Sequence, residues 1–373
     1  YSHHTTQREV VLFCGTAGLV SKDGYQHFME KEIHEQPEAI AHSLSEMLDA
    51  NGDLAVDLGD AKALKGLMIL AAGTSHNAAM IGKYWLETLA DLPVVTEIAS
   101  EFRYRNPSVR HLDMAMGISQ SGESLDTLMA LRYAGEKGLK TLGLVNVPES
   151  TIARETDVQL FTRAGPEIGV ASTKAFTAQL TVLLAMAAAL GRDRGVITAA
   201  ECDAIKDHLT TLPRLVGQAM SGFDKIKPFI SALSRAQSCL FLGRGTLYPL
   251  ALEGALKLKE VSYIHAEGYA PGEMKHGPIA LIEEDLPVVA LLTDDDHLQK
   301  SMSNLMEAKS RGAAVLGICT EKAAAQLDDL DDIITVPDCD PLIAPIVLSI
   351  PAQILAYMTA VHKGTDVDQP RNL

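Results

Sequence analysis

The sequence has no excess of positive charge and no long apolar run. Its 373 residues carry a formal net charge of −16, which argues against nucleic acid or an anionic membrane surface as the main partner. No uninterrupted apolar run reaches the roughly 18 residues that a membrane-spanning helix needs. A local cluster of backbone amides can bind phosphate whatever the total charge, so an anionic substrate stays possible.

Cysteines are few and scattered. Their number is odd and no pair has the CxxC spacing, which disfavours both a disulfide framework and a metal site and favours reduced thiols in the cytoplasm. A zinc-protease motif at His34-Glu35 is excluded because Glu38 stands where the second histidine would be. The five cysteines are Cys14, Cys202, Cys239, Cys319 and Cys339.

What is present is a composition typical of a globular protein with a large core. Apolar residues make up 47% and charged residues 21% of the chain, and its length suggests about two or three domains. The apolar segment at residues 10–20 is too interrupted for a signal peptide. Because the chain begins at Tyr1, we expect it to be part of a longer protein.

From about residue 62 the pattern alternates between strands and helices, which predicts parallel sheets flanked by helices. The alternation restarts near residue 238, so we predict an α/β protein of two doubly wound, flavodoxin-like units. We assign residues 1–25 to a linker, 26–215 to the first unit and 216–373 to the second. Predicted strands cover residues 67–72, 93–99, 114–118, 141–147, 158–162, 238–242, 287–293, 314–319 and 333–336.

Predicted helices connect these strands. One near residues 28–48 is interrupted at Pro37, and a polar helix at 198–220 crosses to the second unit. The remaining helices are expected at residues 77–89, 125–136, 173–190, 248–260, 298–311 and 346–361.

A serine-rich turn follows the third predicted strand and precedes a helix. Its letters are Ser119-Gln120-Ser121-Gly122-Glu123-Ser124, so helix N-terminal amides and three hydroxyls could together bind an anion. Thr74 and Ser75, in the turn after the first strand, would lie at the same edge of the sheet. The alternative is an ordinary serine cap of the following helix.

The second unit has different turns. Gly243-Arg244-Gly245 is half of a dinucleotide fingerprint, but Tyr248 occupies the third glycine position, which favours a plain tight turn. Its other turn carries Asp294, Asp295 and Asp296, which would repel phosphate. We therefore expect an anion site in the first unit only.

The predicted helix at 248–260 places three ionisable side chains on one face. Glu253, Lys257 and Glu260 are spaced four and three apart. Glu260 could be a catalytic base or a solvated helix-end carboxylate, and Glu253–Lys257 could be an ordinary surface pair. A loop follows with His265, Glu267, Glu273, Lys275 and His276, whose histidines could be general acids or merely structural.

Several longer stretches match a known family from about residue 27 to the end. They are MEKEIHEQP, AAGTSHNA, EIASEFRYR, SQSGES, EIGVASTKAFTAQLT, LGRG, YPLALEGALKLKEVSYIHAE, GEMKHGP and KGTDVDQPRNL. These stretches resemble the sugar-phosphate isomerase (SIS) fold. More closely, they resemble the isomerase part of the glutamine–fructose-6-phosphate aminotransferase family, which makes glucosamine 6-phosphate.

The resemblance implies roles for individual residues. Glu260 would move a proton between C1 and C2 of the sugar, and Lys257 would be an active-site lysine. His276 would open the ring of the sugar that is bound in the neighbouring subunit's site of a homodimer. No metal or redox cofactor is implied. Ligands would be fructose 6-phosphate, glucosamine 6-phosphate and glucose 6-phosphate, bound by Thr74, Ser75, Ser119, Gln120, Ser121, Ser124, Val170 and Ser172.

Two departures from the family pattern shape the expected activity. The family's N-terminal glutaminase domain is absent, and the tail stops at Leu373, before the lysine that attacks the sugar carbonyl. We therefore expect this chain alone to lack glutamine-dependent synthesis and normal Schiff-base chemistry. Two alternatives stay open: a non-catalytic sugar-phosphate sensor, or another SIS enzyme such as a ketose–aldose isomerase or deglycase.

Overall fold

The computed structural model describes residues 21–221, 223–327, 330 and 332–372. The signal-like segment at 10–20, Cys14 and most of the predicted linker therefore lie outside the described residues. Leu373, at the end of the predicted tail, lies outside them as well.

The first sheet has five parallel strands in the order β2-β1-β3-β4-β5. Central strands β1 and β3 are buried along their whole length, as expected where helices cover both faces. The strands are β1 (Leu67–Ala71), β2 (Val94–Ile98), β3 (Met114–Ser119), β4 (Lys140–Val145) and β5 (Val158–Phe161).

The second sheet repeats this plan. Its strands are β6 (Ser238–Leu242), β7 (His265–Tyr269), β8 (Pro287–Leu292), β9 (Ala314–Thr320) and β10 (Asp332–Val336), ordered β10-β9-β8-β6-β7. Counted within its own half, this is the order 2-1-3-4-5 of the first sheet and of flavodoxin-like folds. The prediction of two doubly wound α/β units is thus confirmed.

Strand β7 corrects the prediction that His265 and Glu267 lie in a loop. They lie on an edge strand that pairs in parallel with β6, with His265 opposite Ser238. Ala266 is the buried residue of this strand, and its neighbours are exposed or half-buried, so no run of apolar residues indicates a strand. β7 occupies the place in its sheet that β2 holds in the first.

Thirteen helices surround the sheets in the described part of the chain. Two of them replace the single predicted helix near Pro37, because α2 begins at Gln36 with the proline in its first turn. They are α1 (Phe28–His34), α2 (Gln36–Ser45), α3 (Gly73–Ala90), α4 (Ala99–Phe102), α5 (Leu125–Glu136), α6 (Thr151–Glu155), α7 (Lys174–Arg194), α8 (Ala199–Ala219), α9 (Lys227–Arg235), α10 (Leu247–Ser262), α11 (Leu298–Lys309), α12 (Glu321–Ala324) and α13 (Ala344–Lys363).

One continuous hydrophobic core joins the two halves. Helices α7 and α13 run through it, and they are long and apolar enough to cross a bilayer by length and composition alone. Their most apolar windows are, however, 100% and 89% buried within the protein, so both are core helices here. The predicted division at residue 215 falls within α8, and it stays a prediction.

Helix α3 packs closely against α7 because a glycine faces a leucine. A Cβ added to Gly82 would lie 3.1 Å from the side chain of Leu183. Leu183 itself is fully buried. This contact fixes the axis of α3, whose first turn carries two of the predicted ligand-binding residues, Thr74 and Ser75.

We predict that Leu183→Ala lowers the free energy of unfolding by about 2–5 kcal/mol, because it leaves a cavity at this crossing. Urea unfolding measures the change. Leu281→Ala is the matched control, since Leu281 is 57% exposed and should change stability little. Equal stability of the two variants would show that the α3–α7 contact is not tightly packed.

Candidate functional site

The serine-rich turn connects β3 to α5 at the edge of the first sheet. The Ser119 hydroxyl lies 2.9 Å from that of Ser124 and accepts the Gly122 amide at 3.0 Å. Gly122 has φ +66°, and a Cβ there would overlap the Ser150 hydroxyl, so both conformation and space require glycine. The turn is therefore a compact loop with a fixed backbone.

The N-terminus of α5 is not closed by its own serine. Ser124 stands at the N-cap position, but its hydroxyl makes no capping hydrogen bond and contacts Ser119 instead. The ordinary serine cap that the sequence left open is thus not what the structure shows. The first-turn amides of α5 stay free of that side chain, which suits an anion.

Thr74 and Ser75 lie in the first turn of α3, where the sequence predicted a turn before the helix. Because β1 and β3 are neighbours in the sheet, this turn and the serine-rich turn leave the same edge. The Ser75 hydroxyl accepts a hydrogen bond from Gln179 Nε2 at 3.0 Å. Thr74 donates to Glu253 Oε1 at 3.0 Å and accepts from Lys257 Nζ at 3.1 Å, so it contacts the second half directly.

The charged face of α10 is buried against α3. Glu253 and Lys257 are each 1% exposed, so the surface-pair interpretation is wrong. Lys257 Nζ lies 2.7 Å from Glu260 Oε2 and 3.5 Å from Glu253 Oε1. Asn77, also in the first turns of α3, donates to Glu253 Oε2 at 2.8 Å. A cation is thus enclosed between two carboxylates where the halves meet.

Burial and neighbouring charges shift the pKa values of Glu253 and Lys257. Burial raises the pKa of Glu253, although Lys257 and the Asn77 hydrogen bond oppose the change. Burial alone would lower the pKa of Lys257, but Glu253 and Glu260 outweigh it and raise that pKa overall. Lys257 is therefore an ammonium ion at neutral pH. Glu260 differs from its neighbours because 22% of its side chain is exposed, which leaves it open to a ligand.

A loop between β5 and α7 holds Val170 and Ser172. Val170 is 44% exposed, and the Ser172 hydroxyl donates to Glu167 Oε2 at 2.9 Å. Glu167 also makes the smallest of the electrostatic contributions that raise the pKa of Lys257.

His276 does not join the cluster within one chain. It is an exposed residue at the end of a 3₁₀ turn, Pro271–His276. Among the described residues, no hydrogen bond or ion pair connects it to Glu260 or Lys257. Nor do His, Cys, Asp and Glu side chains in this part of the chain form a group of three or more that could hold a metal ion.

Sequence reasoning did not select Asn77, Gln179 or Glu253 as site residues. Helix spacing did place Glu253 on the same face as Lys257 and Glu260, but the pair Glu253–Lys257 was left open as an ordinary surface pair. Asn77 and Gln179 act across distances of 176 and 104 residues, and no local spacing indicates such partners.

The whole arrangement defines a class of protein. Two flavodoxin-like sheets meet at a buried charged cluster, with an open serine-rich turn at the edge of the first sheet. The family described as SIS domain matches residues 64–189 and 232–363. The chain therefore belongs to the SIS domain family.

Within this family, the chain is similar over its whole length to aminotransferases that act on fructose 6-phosphate by name. Over 379 residues, the whole chain is 49% identical to a glutamine–fructose-6-phosphate aminotransferase (isomerizing) of Rhizobium meliloti, and it is 50% identical to that of Agrobacterium fabrum over 385 residues. The chain spans 62% of the length of these relatives.

A solved structure shows a similarity to the same kind of protein. The C-terminal domain of glucosamine-fructose-6-phosphate aminotransferase from Francisella tularensis is 41% identical, with a TM-score of 0.90. The match covers 94% of this chain and 100% of that one. The resemblance stated from the sequence motifs is confirmed.

We predict that Lys257→Met lowers the free energy of unfolding by about 3–5 kcal/mol, because it leaves Glu253 buried without its counter-ion. Urea unfolding at neutral pH measures the loss. Lys259→Met is the control on the same helix, since Lys259 is exposed.

A second variant isolates the cause. Adding Glu253→Gln to Lys257→Met removes the uncompensated charge and should restore part of the stability. If Lys257→Met is as stable as the Lys259→Met control, the buried ion cluster does not stabilise the fold.

Proposed function

We propose that the chain is the sugar-isomerising part of a glutamine–fructose-6-phosphate aminotransferase and converts fructose 6-phosphate plus ammonia into glucosamine 6-phosphate. The observation that carries this proposal is the partly exposed edge of a buried charged cluster: Glu260 pairs with Lys257, and Lys257 also contacts Thr74, whose turn leaves the same sheet edge as the serine-rich turn. A sensor needs only the anion site and gains nothing from enclosing a cation between two carboxylates. The cluster therefore favours an enzyme.

The phosphate group is assigned to the first half. Amides at the start of α5 and the hydroxyls of Ser121 and Ser124 supply donors, and Gly122 allows close backbone approach. Ser119, Gln120, Thr74 and Ser75 complete the edge. Binding energy at this remote end holds the flexible open-chain sugar with its reacting carbons near α10.

Proton transfer is assigned to the second half. Ammonia and the C2 carbonyl form an imine with loss of water. Glu260 then takes the C1 proton and returns it to C2, while the O1 proton is transferred to the imine nitrogen, so that C1 becomes the aldehyde and C2 carries the amine. The Lys257 ammonium, 2.7 Å from Glu260, is placed to stabilise negative charge that develops on oxygen during this transfer. The reaction needs no metal or redox cofactor.

Ring opening is assigned to His276 in a homodimer. This histidine is exposed, and within the described part of the chain it makes no hydrogen bond or ion pair with the charged cluster, so a second subunit would have to bring it to Glu260. Ammonia would come from the additional part of the longer relatives, of which this chain spans 62%. The described cysteines, Cys202, Cys239, Cys319 and Cys339, are free thiols, which supports a reducing, cytoplasmic location.

We predict that Glu260→Gln binds sugar phosphate normally but loses isomerisation, because the amide cannot accept the C1 proton. The assay supplies fructose 6-phosphate with and without ammonium and follows aldose products, with calorimetry for binding. Glu273→Gln, an exposed carboxylate variant, is the control.

The same assay separates the competing functions. Amino-sugar formation that requires ammonium supports the proposal, whereas glucose 6-phosphate alone indicates a plain ketose–aldose isomerase. Near-normal turnover by Glu260→Gln would remove that residue from the proton-transfer role, and binding without any turnover by the unmodified chain would favour a sensor.

We predict that Ser121→Ala combined with Ser124→Ala raises the dissociation constant for fructose 6-phosphate about 10- to 100-fold, since two hydroxyl donors to a charged phosphate are lost. Titration calorimetry measures the constant. Ser45→Ala, an exposed serine at the end of α2, should leave it unchanged. An unchanged constant in the double variant would place the phosphate elsewhere.

A further inference from the structure

The motif MEKEIHEQP, residues 29–37, contributes no residue to the cluster described above. Its central carboxylate, Glu32 on α1, is nevertheless only 2% exposed. A buried carboxylate without a counter-ion is costly unless hydrogen bonds stabilise it. The position of Glu32 therefore needs a structural explanation.

Glu32 holds the loop that carries Val170 and Ser172. Its Oε1 atom accepts hydrogen bonds from two consecutive backbone amides, those of Ile168 and Gly169. These contacts join residues 136 and 137 positions apart in the chain. The clamped amides lie directly before Val170.

The loop is shaped to receive this carboxylate. A Cβ added to Gly169 would lie 2.7 Å from Glu32 Oε2 and 3.5 Å from the Met29 amide nitrogen. Only glycine therefore leaves room for the side chain of Glu32. Oε2 itself is buried without a hydrogen-bond partner, so the backbone amides are the donors that Glu32 finds.

The same motif fixes the far end of the loop. Lys174, the first residue of α7, is 4% exposed and pairs with Glu35 at 2.6 Å. Between the two anchors, Glu167 Oε1 accepts the amides of Thr173 and Ala175 at 2.8 and 3.1 Å. Residues 167–174 are thus held at both ends by carboxylates of the α1–α2 segment. Within the loop they are held by the carboxylate of Glu167.

The charge environment of Glu32 agrees with this arrangement. Burial, and then repulsion by Glu167, raise the pKa of Glu32 to about 7, whereas the two loop amides and Lys174 oppose the rise. The loop amides are therefore among the few groups that favour the ionised form.

We propose that Glu32 is a positioning residue: its side chain fixes residues 168–170 so that Val170 and Ser172 meet the sugar phosphate. The inference rests on the function proposed above. Because Glu260 and Lys257 are anchored separately on α10, loss of the clamp should weaken ligand binding and change the rate of proton transfer much less.

The test compares three variants of the whole chain. Glu32→Ala removes the acceptor, Glu32→Gln keeps an oxygen at the Oε1 position, and Glu38→Ala, with a side chain that is 76% exposed, is the control. The first measurement is amide hydrogen exchange of residues 165–173 without ligand. The second is the dissociation constant for glucose 6-phosphate, and the third is KM against kcat for fructose 6-phosphate.

We expect Glu32→Ala to speed exchange at Ile168 and Gly169 and to raise the dissociation constant and KM about 10- to 100-fold, because both hydrogen bonds that the Glu32 carboxyl group accepts are lost. The value of kcat should change less than about threefold. Glu32→Gln should stay within about threefold of the unmodified chain. Faster exchange with unchanged binding would overturn the proposal, as would equal loss in the alanine and glutamine variants.

Gly169→Ala is an independent route to the same result if Glu32→Ala does not fold. Its methyl group should displace the carboxylate and weaken binding, yet add little in a Glu32→Ala background. Additive effects would overturn the clamp. Failure of the unmodified chain to bind glucose 6-phosphate would instead refute the proposed function, while hydrogen exchange would still support or overturn the clamp on its own.

Discussion

The structure depends on one buried cation at the junction of two similar halves. Lys257 is enclosed by Glu253 and Glu260 of its own helix and by the Thr74 hydroxyl of α3. Glu253 is held in turn by Thr74 and Asn77. Such a cluster is tolerated only in a defined geometry, because each charge loses its hydration and needs a close partner. The relative placement of α3 and α10 is therefore strongly constrained, and with it the edge where both first-half turns emerge.

The two halves share a topology, but the side chains at their equivalent helix N-termini differ. In the first half, Ser124 leaves the α5 amides without a side-chain cap. In the second half, Asp295 accepts the His297 amide at 2.7 Å and the Thr293 hydroxyl at 2.7 Å, just before α11. A carboxylate thus already occupies the region that a phosphate would take. The two halves thus have equivalent sheet edges, and the side chains at the strand ends distinguish them.

Much of the fold could be predicted from hydrophobic pattern, and the exceptions have physical reasons. The central strands are short apolar runs between turns, and nine of the ten strands were placed within two residues at each end. β7 was missed because edge strands need no apolar run and its alternate residues are polar. Helix spacing correctly grouped Glu253, Lys257 and Glu260, but spacing cannot say which face is buried. Leu252 and Leu256 are in fact more exposed than Glu253 and Lys257.

The features of the site that the sequence did not predict depend on contacts between distant segments. The hydrogen-bond partners of Glu32, Ser75 and Glu253 lie more than 100 positions away, and no local pattern encodes them. Motif resemblance selected the same regions because long matching runs carry tertiary constraints implicitly. It named MEKEIHEQP without a role, and only the three-dimensional arrangement connects that motif to the loop of residues 167–174.

This separation of anchors has a mechanistic consequence. Under the proposed function, the loop of residues 167–174 is held by the α1–α2 segment, and the serine-rich turn is held by its own hydrogen bonds. The proton-transfer residues are instead held on α10, which packs against α3. Affinity and proton transfer then depend on different sets of contacts, so each can change while the other is preserved. A fold built from two equivalent halves is suited to this division, because the buried junction and the ligand-binding loops are held by different contacts.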